Sequence, residues 1–313
     1  MTEGALVDRF DRIVDVVLQR RDATAALRDV ELGPLAAVAA DLRYTPSEAF
    51  KAGLRSGLAR RAALSSAMAG GGGREGLTTV TPLVAAGGAG VAEFMTLVFG
   101  AEHAPLKPGY REVRVGDSSM LIDEGHLQTL VPLRPAEFHV SVDDADAAFE
   151  RALKAGGTSL GPPTNRPYGE RAGFVRDPFG NHWFIGTPLP GGLLPPGRRT
   201  LMPFFHSPGA RDFMAFLQRA FGAIEERVHE GGGHVVYALM RIGTAQIEVG
   251  EADEPSMPGA FYMSVADADV VYAEAIDAGA ASLLPPTDRP EGERLAAVKD
   301  PMGNHWLIAR GLR

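Results

Sequence analysis

The residues best suited to chemistry in this sequence are few and widely spaced. Glu137 and His139 stand two apart in Glu137-Phe138-His139-Val140-Ser141, a spacing that sets both on one face of a strand. Gln246 and Glu248 repeat that spacing in Thr244–Val249. A carboxylate beside an imidazole or an amide can hydrogen-bond a ligand or act as a general base. The bland alternatives are the polar side of a solvent-facing strand for Glu137, Gln246 and Glu248, and a polar-tipped residue at a domain seam for His139. His182-Trp183 recurs as His305-Trp306, and Gly169-Glu170-Arg171 recurs as Gly292-Glu293-Arg294. Arg in that triplet would clamp an anion or, as the default, hold a salt-bridged loop in place. His229-Glu230-Gly231-Gly232-Gly233-His234 lacks the Lys-Ser/Thr ending of a phosphate loop and is expected to be a hairpin tip. With no cysteine anywhere, thiolate metal sites, iron–sulfur clusters, disulfides and Cys nucleophiles are excluded.

The elements that must position these residues are set by an internal repeat. The segment PPTNRPYGERAGFVRDPFGNHWFI from Pro162 matches PPTDRPEGERLAAVKDPMGNHWLI from Pro285 at 16 of 24 positions without a gap. Upstream at the same offset, Phe138–Val142 faces Phe261–Val265, so that His139 has Tyr262 as its counterpart. In the first copy, alternation and turn residues predict strands at Thr79–Val84, Arg111–Val115, Ser119–Asp123 and Glu137–Val142. Helices are predicted at Val91–Phe99 and from Asp143-Asp144 to Lys154, the latter ended by Gly156. Two closing strands, about Gly173–Arg176 and His182–Ile185, flank the turn Asp177-Pro178-Phe179-Gly180-Asn181. The order is β-α-β-β twice over, with room for one more strand in each half.

The chain has 313 residues, net charge −8 and 45% hydrophobic residues. That length holds two or three domains. Its acidic balance argues against nucleic acid as a partner, although Arg43, Lys51, Arg55, Arg60 and Arg61 make one region locally basic. No stretch approaches a membrane span or a signal peptide, and a reducing cytoplasm fits the missing cysteines. The N-terminal region reads as all-α: Leu6, Phe10, Ile13, Val14 and Val17 form one amphipathic face, and Leu35, Val38 and Leu42 suggest a second. Thr45-Pro46-Ser47-Glu48 reads as the start of a further helix with Phe50, Leu54 and Leu58 on its apolar face. The resulting division is 1–69 helical, 70–77 a Gly-rich linker, 78–188 the first repeated domain, 189–199 a Pro/Gly linker and 200–313 the second repeated domain.

FHVSVDDADAAFERALKAGG from Phe138 and GERAGFVRDPFGNHW from Gly169, each present twice, resemble the vicinal oxygen chelate superfamily of glyoxalases, extradiol dioxygenases and bleomycin-resistance proteins. The resemblance implies an α+β fold of four βαβββ modules, whose curved mixed sheets form two bowls, with the N-terminal helices outside it. Metal-dependent members of the superfamily carry His and Glu ligands on the first and last strand of each module. Carried onto this chain, those positions fall near Val80, Leu121, Glu137 and Phe184 in the first copy, and near Met202, Glu248, Ala260 and Leu307 in the second. Each copy then keeps one carboxylate and no His. A register shift of two residues would add His139 to Glu137, still short of the three protein ligands a catalytic zinc takes.

The expectation is therefore a protein of the bleomycin-resistance type that binds an apolar or aromatic small molecule, with no metal and no cofactor. Glu137, His139, Phe204, Tyr237, Gln246, Glu248, Tyr262 and Trp306 are its candidate ligand-binding residues, with Phe205 as a further wall residue. Two other classes stay open: a metal-dependent lyase, isomerase or dioxygenase-like enzyme using Glu137, His139 or Glu248, and a ligand-sensing or interaction protein docking through its N-terminal helices. A homodimer is likewise left open as a partner.

Overall fold

The computed structural model describes residues 48–69, 77–84, 88–107, 109–125, 127, 134–192, 194–252, 257–290 and 292–311. The helices expected before residue 48, the cap at Thr45-Pro46-Ser47 and the glycine run 70–73 lie outside the described residues. The chain divides into two compact units, Met1–Arg60 and Arg61–Arg313. Helix α1 (Glu48–Met68) begins in the first unit, where Leu54 and Leu58 are solvent-exposed rather than forming a buried face. In the second unit its last turns place Leu64, Ala67 and Met68 in the core. No helix among the described residues is long and apolar enough to cross a membrane.

Four modules follow, each a strand, a helix and three strands. The first is β1 (Val80–Val84), α2 (Gly88–Phe99), β2 (Glu102–Lys107), β3 (Tyr110–Val115) and β4 (Ser118–Asp123). The second is β5 (Glu137–Ser141), α3 (Ala145–Lys154), β6 (Thr158–Arg166), β7 (Glu170–Arg176) and β8 (His182–Pro188). The third is β9 (Leu201–Ser207), α4 (Ala210–Phe221), β10 (Ile224–Gly231), β11 (His234–Ile242) and β12 (Ala245–Glu251). The fourth is β13 (Ala260–Ser264), α5 (Ala268–Asp277), β14 (Ala281–Asp288), β15 (Arg294–Lys299) and β16 (His305–Arg310). The expected strands and helices of the first copy are all present, and β2 and β6 fill the room left for one more strand.

The unit repeated in sequence is not the unit that shares a sheet. The strand orders are β14-β15-β16-β13-β1-β4-β3-β2 and β10-β11-β12-β9-β5-β8-β7-β6. The outer modules, first and fourth, thus build one eight-stranded mixed sheet, and the middle modules, second and third, build the other. Each of the domains read as 78–188 and 200–313 gives one module to each sheet. The joints are the antiparallel pairs β1–β13 and β5–β9. Two matching contacts lock the sheets to each other. Gly116, at φ +55°, lies against Thr200, and Gly243, also at φ +55°, lies against Thr79; a Cβ on either glycine would collide with the threonine hydroxyl. Thr200 N donates to Asp117 Oδ1 (2.8 Å), and Thr79 N donates to Thr244 Oγ1 (3.0 Å).

Alternation along the strands sorts the side chains. Phe138, Val140, Trp183 and Ile185 pack under α2 and α3, while Phe205, Phe261, Trp306 and Ile308 pack under α4 and α5. Their neighbours in sequence turn to the helix-free inner faces of the two bowls. The repeated turn is a hydrogen-bonded latch. Asp177 Oδ1 accepts from the backbone of Phe179 and Asn181, and its Oδ2 accepts from Asn181 Nδ2 and Trp183 Nε1 (both 2.9 Å). Asn181 Oδ1 in turn accepts from Ala136 N, fixing the entry to β5. Asp300, Asn304, Trp306 and Gly259 N repeat the arrangement in the other sheet.

Because Asp177 satisfies four donors at once, three of them buried, Asp177→Ala is expected to cost about 2–4 kcal/mol of stability. Its twin Asp300→Ala is expected to cost a similar amount. Urea titration followed by tryptophan fluorescence checks this, and a midpoint within error of the parent would contradict the latch.

Candidate functional site

The inner face of the β10–β6 sheet carries the charged and polar residues. Parallel pairing sets His139 of β5 beside Phe184 of β8 and Glu248 of β12 beside Phe204 of β9. His139 is fully enclosed and bridges two carboxylates: Nδ1 lies 2.5 Å from Glu248 Oε2, and Nε2 lies 3.0 Å from Glu170 Oε1. Tyr237 of β11 donates its hydroxyl to Glu248 Oε1 at 2.8 Å. Arg198 completes the group, with Nη2 2.9 Å from Glu248 Oε1 and Nη1 3.4 Å from Glu170 Oε1. Its side chain is 5% exposed, and both glutamates are at 0%.

The linker between the repeats delivers Arg198. Leu194 packs on Met202, Tyr237 and Leu239, and Gly197 takes φ +78° to turn the chain. Arg199 N then donates to Gln246 Oε1, and the Arg199 guanidinium donates to the carbonyls of Asp117 and Thr244. With Arg199 pinned outward and Thr200 seated on Gly116, Arg198 points into the bowl.

Two cations and two anions make this quartet neutral. Burial alone would strip His139 of its proton, but the fields of Glu248 and Glu170 outweigh it and raise the imidazole to about 9. Glu248 is held down at about 2: burial opposes ionisation, and His139, Arg198 and Tyr237 overcome it. Desolvation, reinforced by Glu248, pushes the Tyr237 phenol upward, so it stays a donor. Arg198 Nη2 also lies 2.8 Å from His139 Nδ1. A ring nitrogen that donates to Glu248 cannot also accept from Arg198, so two cations press on one carboxylate.

Above the quartet the walls are aromatic and half-exposed. Phe174, Phe184 and Phe204 form a chain with ring centroids 5.3 and 5.6 Å apart. Arg166 lies over the Phe184 ring at 5.7 Å. Phe204 and His206 are 3.9 Å apart, and His206 Nδ1 is 2.7 Å from Glu137 Oε1. Half-buried Tyr168 also borders the site, its phenol pushed upward by burial and by Glu170.

Of the candidate ligand-binding residues, Glu137, His139, Phe204, Tyr237 and Glu248 therefore meet in one bowl. Gln246 stands beside it, positioning the linker. Tyr262 lies in the other bowl, where its hydroxyl donates to Glu293 Oε1 at 2.6 Å. Trp306 and Phe205 belong to the helix-covered core, because strand alternation turns them away from the inner face. Arg171 forms an ion pair with Asp146 at the surface, as the salt-bridged-loop default expected. Its neighbour Glu170 faces inward; period-2 alternation across Gly169-Glu170-Arg171 is the signal that finds it. Arg198 has no such signal, since a Pro/Gly linker carries no periodicity. Gly232 and Gly233, at positive φ, form the expected hairpin tip between β10 and β11.

The superfamily's metal-dependent members make a metal fit worth testing. Because the bowl draws strands from both repeats, it gathers two imidazoles, His139 and His206, and three carboxylates, Glu137, Glu170 and Glu248, more than either copy alone promised. Glu137 and His206 make a separate pair at the rim, which is two donors and short of the three protein ligands a catalytic zinc takes. The donors nevertheless diverge: Glu170 and Glu248 sit on opposite edges of the His139 ring, and the two nitrogens of an imidazole cannot face a single ion. The oxygens facing each other across the site are bridged by Arg198. No group of three or more His, Asp or Glu among the described residues is arranged to hold a metal ion. The residues do not fit a resident metal.

The βαβββ modules and their two mixed sheets define a glyoxalase-like fold. The family model described as Glyoxalase/Bleomycin resistance protein/Dioxygenase superfamily matches residues 132–185 and 208–308. Through these segments the chain belongs to that superfamily. "Uncharacterized protein Mb0911c" of Mycobacterium bovis is 37% identical over 89 residues, 28% of this chain and 59% of that protein. The chain spans between 52% and 59% of the length of the relatives matched at that identity. "Putative glyoxylase CFP32" of the same organism is 27% identical over 180 residues, 55% of this chain and 68% of that protein. The crystal structure of glyoxalase I from Zea mays superposes with a TM-score of 0.54 at 15% identity, covering 74% of this chain and 92% of that one; the likeness is one of fold.

The raised His139 fixes a sign for pH dependence. Its stabilising contribution is complete below 6.5, the value for a free imidazole, and is lost as pH rises toward about 9. The stability advantage of the parent over His139→Gln is expected to shrink across that window by on the order of 2–3 kcal/mol. Urea unfolding of both proteins between pH 6 and 10 measures it, and a constant difference would contradict a buried imidazolium.

Proposed function

We propose that the bowl of the middle modules binds an aromatic or apolar small molecule without a metal. The observation that carries this reading is the Arg198 guanidinium bridging Glu170 and Glu248 beneath half-exposed Phe174, Phe184 and Phe204. A neutral, enclosed floor leaves no net charge for an ion to compensate. Aromatic walls with a few placed polar groups suit a flat apolar ligand. Two buried atoms at the floor, Glu170 Oε2 and Arg198 Nε, have no hydrogen-bond partner among the described residues; they offer one acceptor and one donor to a polar edge of the ligand. Among the described residues of the opposite bowl, Leu83, Tyr110, Leu121, Tyr262 and Leu307 are buried at 0–1% exposure and leave no comparable aromatic wall half-exposed.

The test is a calorimetric titration with toluene on protein purified without chelator, with elemental analysis of the same sample. Saturable binding, weakened about tenfold by Phe204→Ala, is expected, with zinc, nickel, manganese and iron far below one per chain. One metal ion per chain, or toluene binding indifferent to Phe204→Ala, would overturn the reading.

A further inference from the structure

At the rim of the same bowl, Glu137 and His206 form a pair that the quartet does not use. Glu137 is buried at 6% exposure, and its Oε1 lies 2.7 Å from His206 Nδ1. A carboxylate in that place holds Nδ1 as the protonated nitrogen, so the neutral ring presents Nε2 as an acceptor. The His206 side chain is 30% exposed, and no described residue partners Nε2. Gly250, paired with His206 in the sheet, sets no side chain against the ring, where a Cβ would come within 3.4 Å of Cδ2 and 3.8 Å of Nε2. Phe204 packs on the imidazole at 3.9 Å, and Phe184 lies at 6.4 Å. An acceptor nitrogen thus stands at the edge of an aromatic surface.

We infer that Glu137 and His206 recognise a hydroxyl on the aromatic ligand, with the ligand O–H donating to His206 Nε2 while its ring lies against Phe184 and Phe204. The ligand class is then a phenol or an enol conjugated to a flat ring. This inference rests on the aromatic-pocket reading and narrows it. His206 acts on the ligand directly, and Glu137 is a positioning residue that fixes which nitrogen accepts. The other bowl lacks the device: Ala260 stands where Glu137 does, and Leu83 and Leu307 stand where Phe204 and Phe184 do.

The experiment compares p-cresol with its methyl ether, 4-methylanisole, by calorimetry at pH 8, where the phenol keeps its proton. The two differ in the one donor that Nε2 would accept. The phenol is expected to bind about tenfold more tightly, the size of one net hydrogen bond to an oriented acceptor. His206→Phe, which keeps a ring against Phe204, is expected to bring the ratio near one, and Glu137→Gln to lower it part of the way. Continued binding of the ether by these variants reports an intact pocket. Equal affinities in the parent protein, or a ratio that survives His206→Phe, would overturn the hydroxyl assignment and leave the aromatic pocket standing. Failure of both probes to bind the parent protein would overturn the pocket, and this inference with it.

Discussion

The contact on which the middle bowl depends is the meeting of Arg198 and His139 with Glu170 and Glu248. Buried ions are costly unless each is paired and hydrogen-bonded, and removing one member of such a set leaves an uncompensated charge behind. The four charges come from four places: β5, the start of β7, β12 and the inter-repeat linker. All four segments must therefore be in register for any of the charges to be buried. This ties the order of the sheet to the path of the linker, and it explains why Arg199, Thr200 and Gln246 fasten that path so closely. Tyr237 absorbs a remaining lone pair of Glu248, while Glu170 Oε2 and Arg198 Nε find no partner among the described residues. The cluster is neutral and yet incomplete in its hydrogen bonding, which suits the floor of a binding site.

The two bowls are one scaffold with two fillings. Thr79 and Thr200 occupy the same place, each against a turn glycine; two residues before them stand Leu77 and Arg198. Glu248 beside Phe204 corresponds to Leu121 beside Leu83, and His139 beside Phe184 corresponds to Tyr262 beside Leu307. Glu293 persists opposite Tyr262 as Glu170 does opposite His139, so part of the polar pattern survives in the apolar bowl. Leucines in the places of Arg198, Glu248, Phe184 and Phe204, with Ala297 in the place of Phe174, turn a polar, partly exposed face into closed core. The outer-module bowl is apolar and buried, and the middle-module bowl keeps the charged quartet and the partly exposed aromatic wall.

Much of the scaffold was legible in the residues. Asp-Pro-x-Gly-Asn-His-Trp repeats because one aspartate must satisfy a turn and an indole together, and strand alternation set Glu137 with His139, and Gln246 with Glu248, on one strand face each, leaving open whether that face lined a bowl. Sheet partnership was not legible, since a repeat shows which segments are alike and says nothing about which of them pair. That is why a site of His139, Glu170 and Glu248 could not be assembled from either copy alone. Trp306 was drawn toward the pocket by its aromatic character, whereas alternation from His305 to Leu307 sends it under the helices. Arg198 was invisible for a physical reason: its role comes from where a turn at Gly197 and the anchors on Arg199 deliver it, and no local pattern encodes that.

The middle bowl encloses a protonated imidazole between two carboxylates, balanced by a guanidinium. The most direct measurement is two-bond 1H–15N correlation NMR of the eight histidine rings at pH 8, with His139 assigned by its absence in His139→Gln. The expected result is a His139 ring with both nitrogens protonated at pH 8, losing its proton only near pH 9. A His139 ring that is neutral at pH 8 and titrates with the ordinary imidazoles would contradict it.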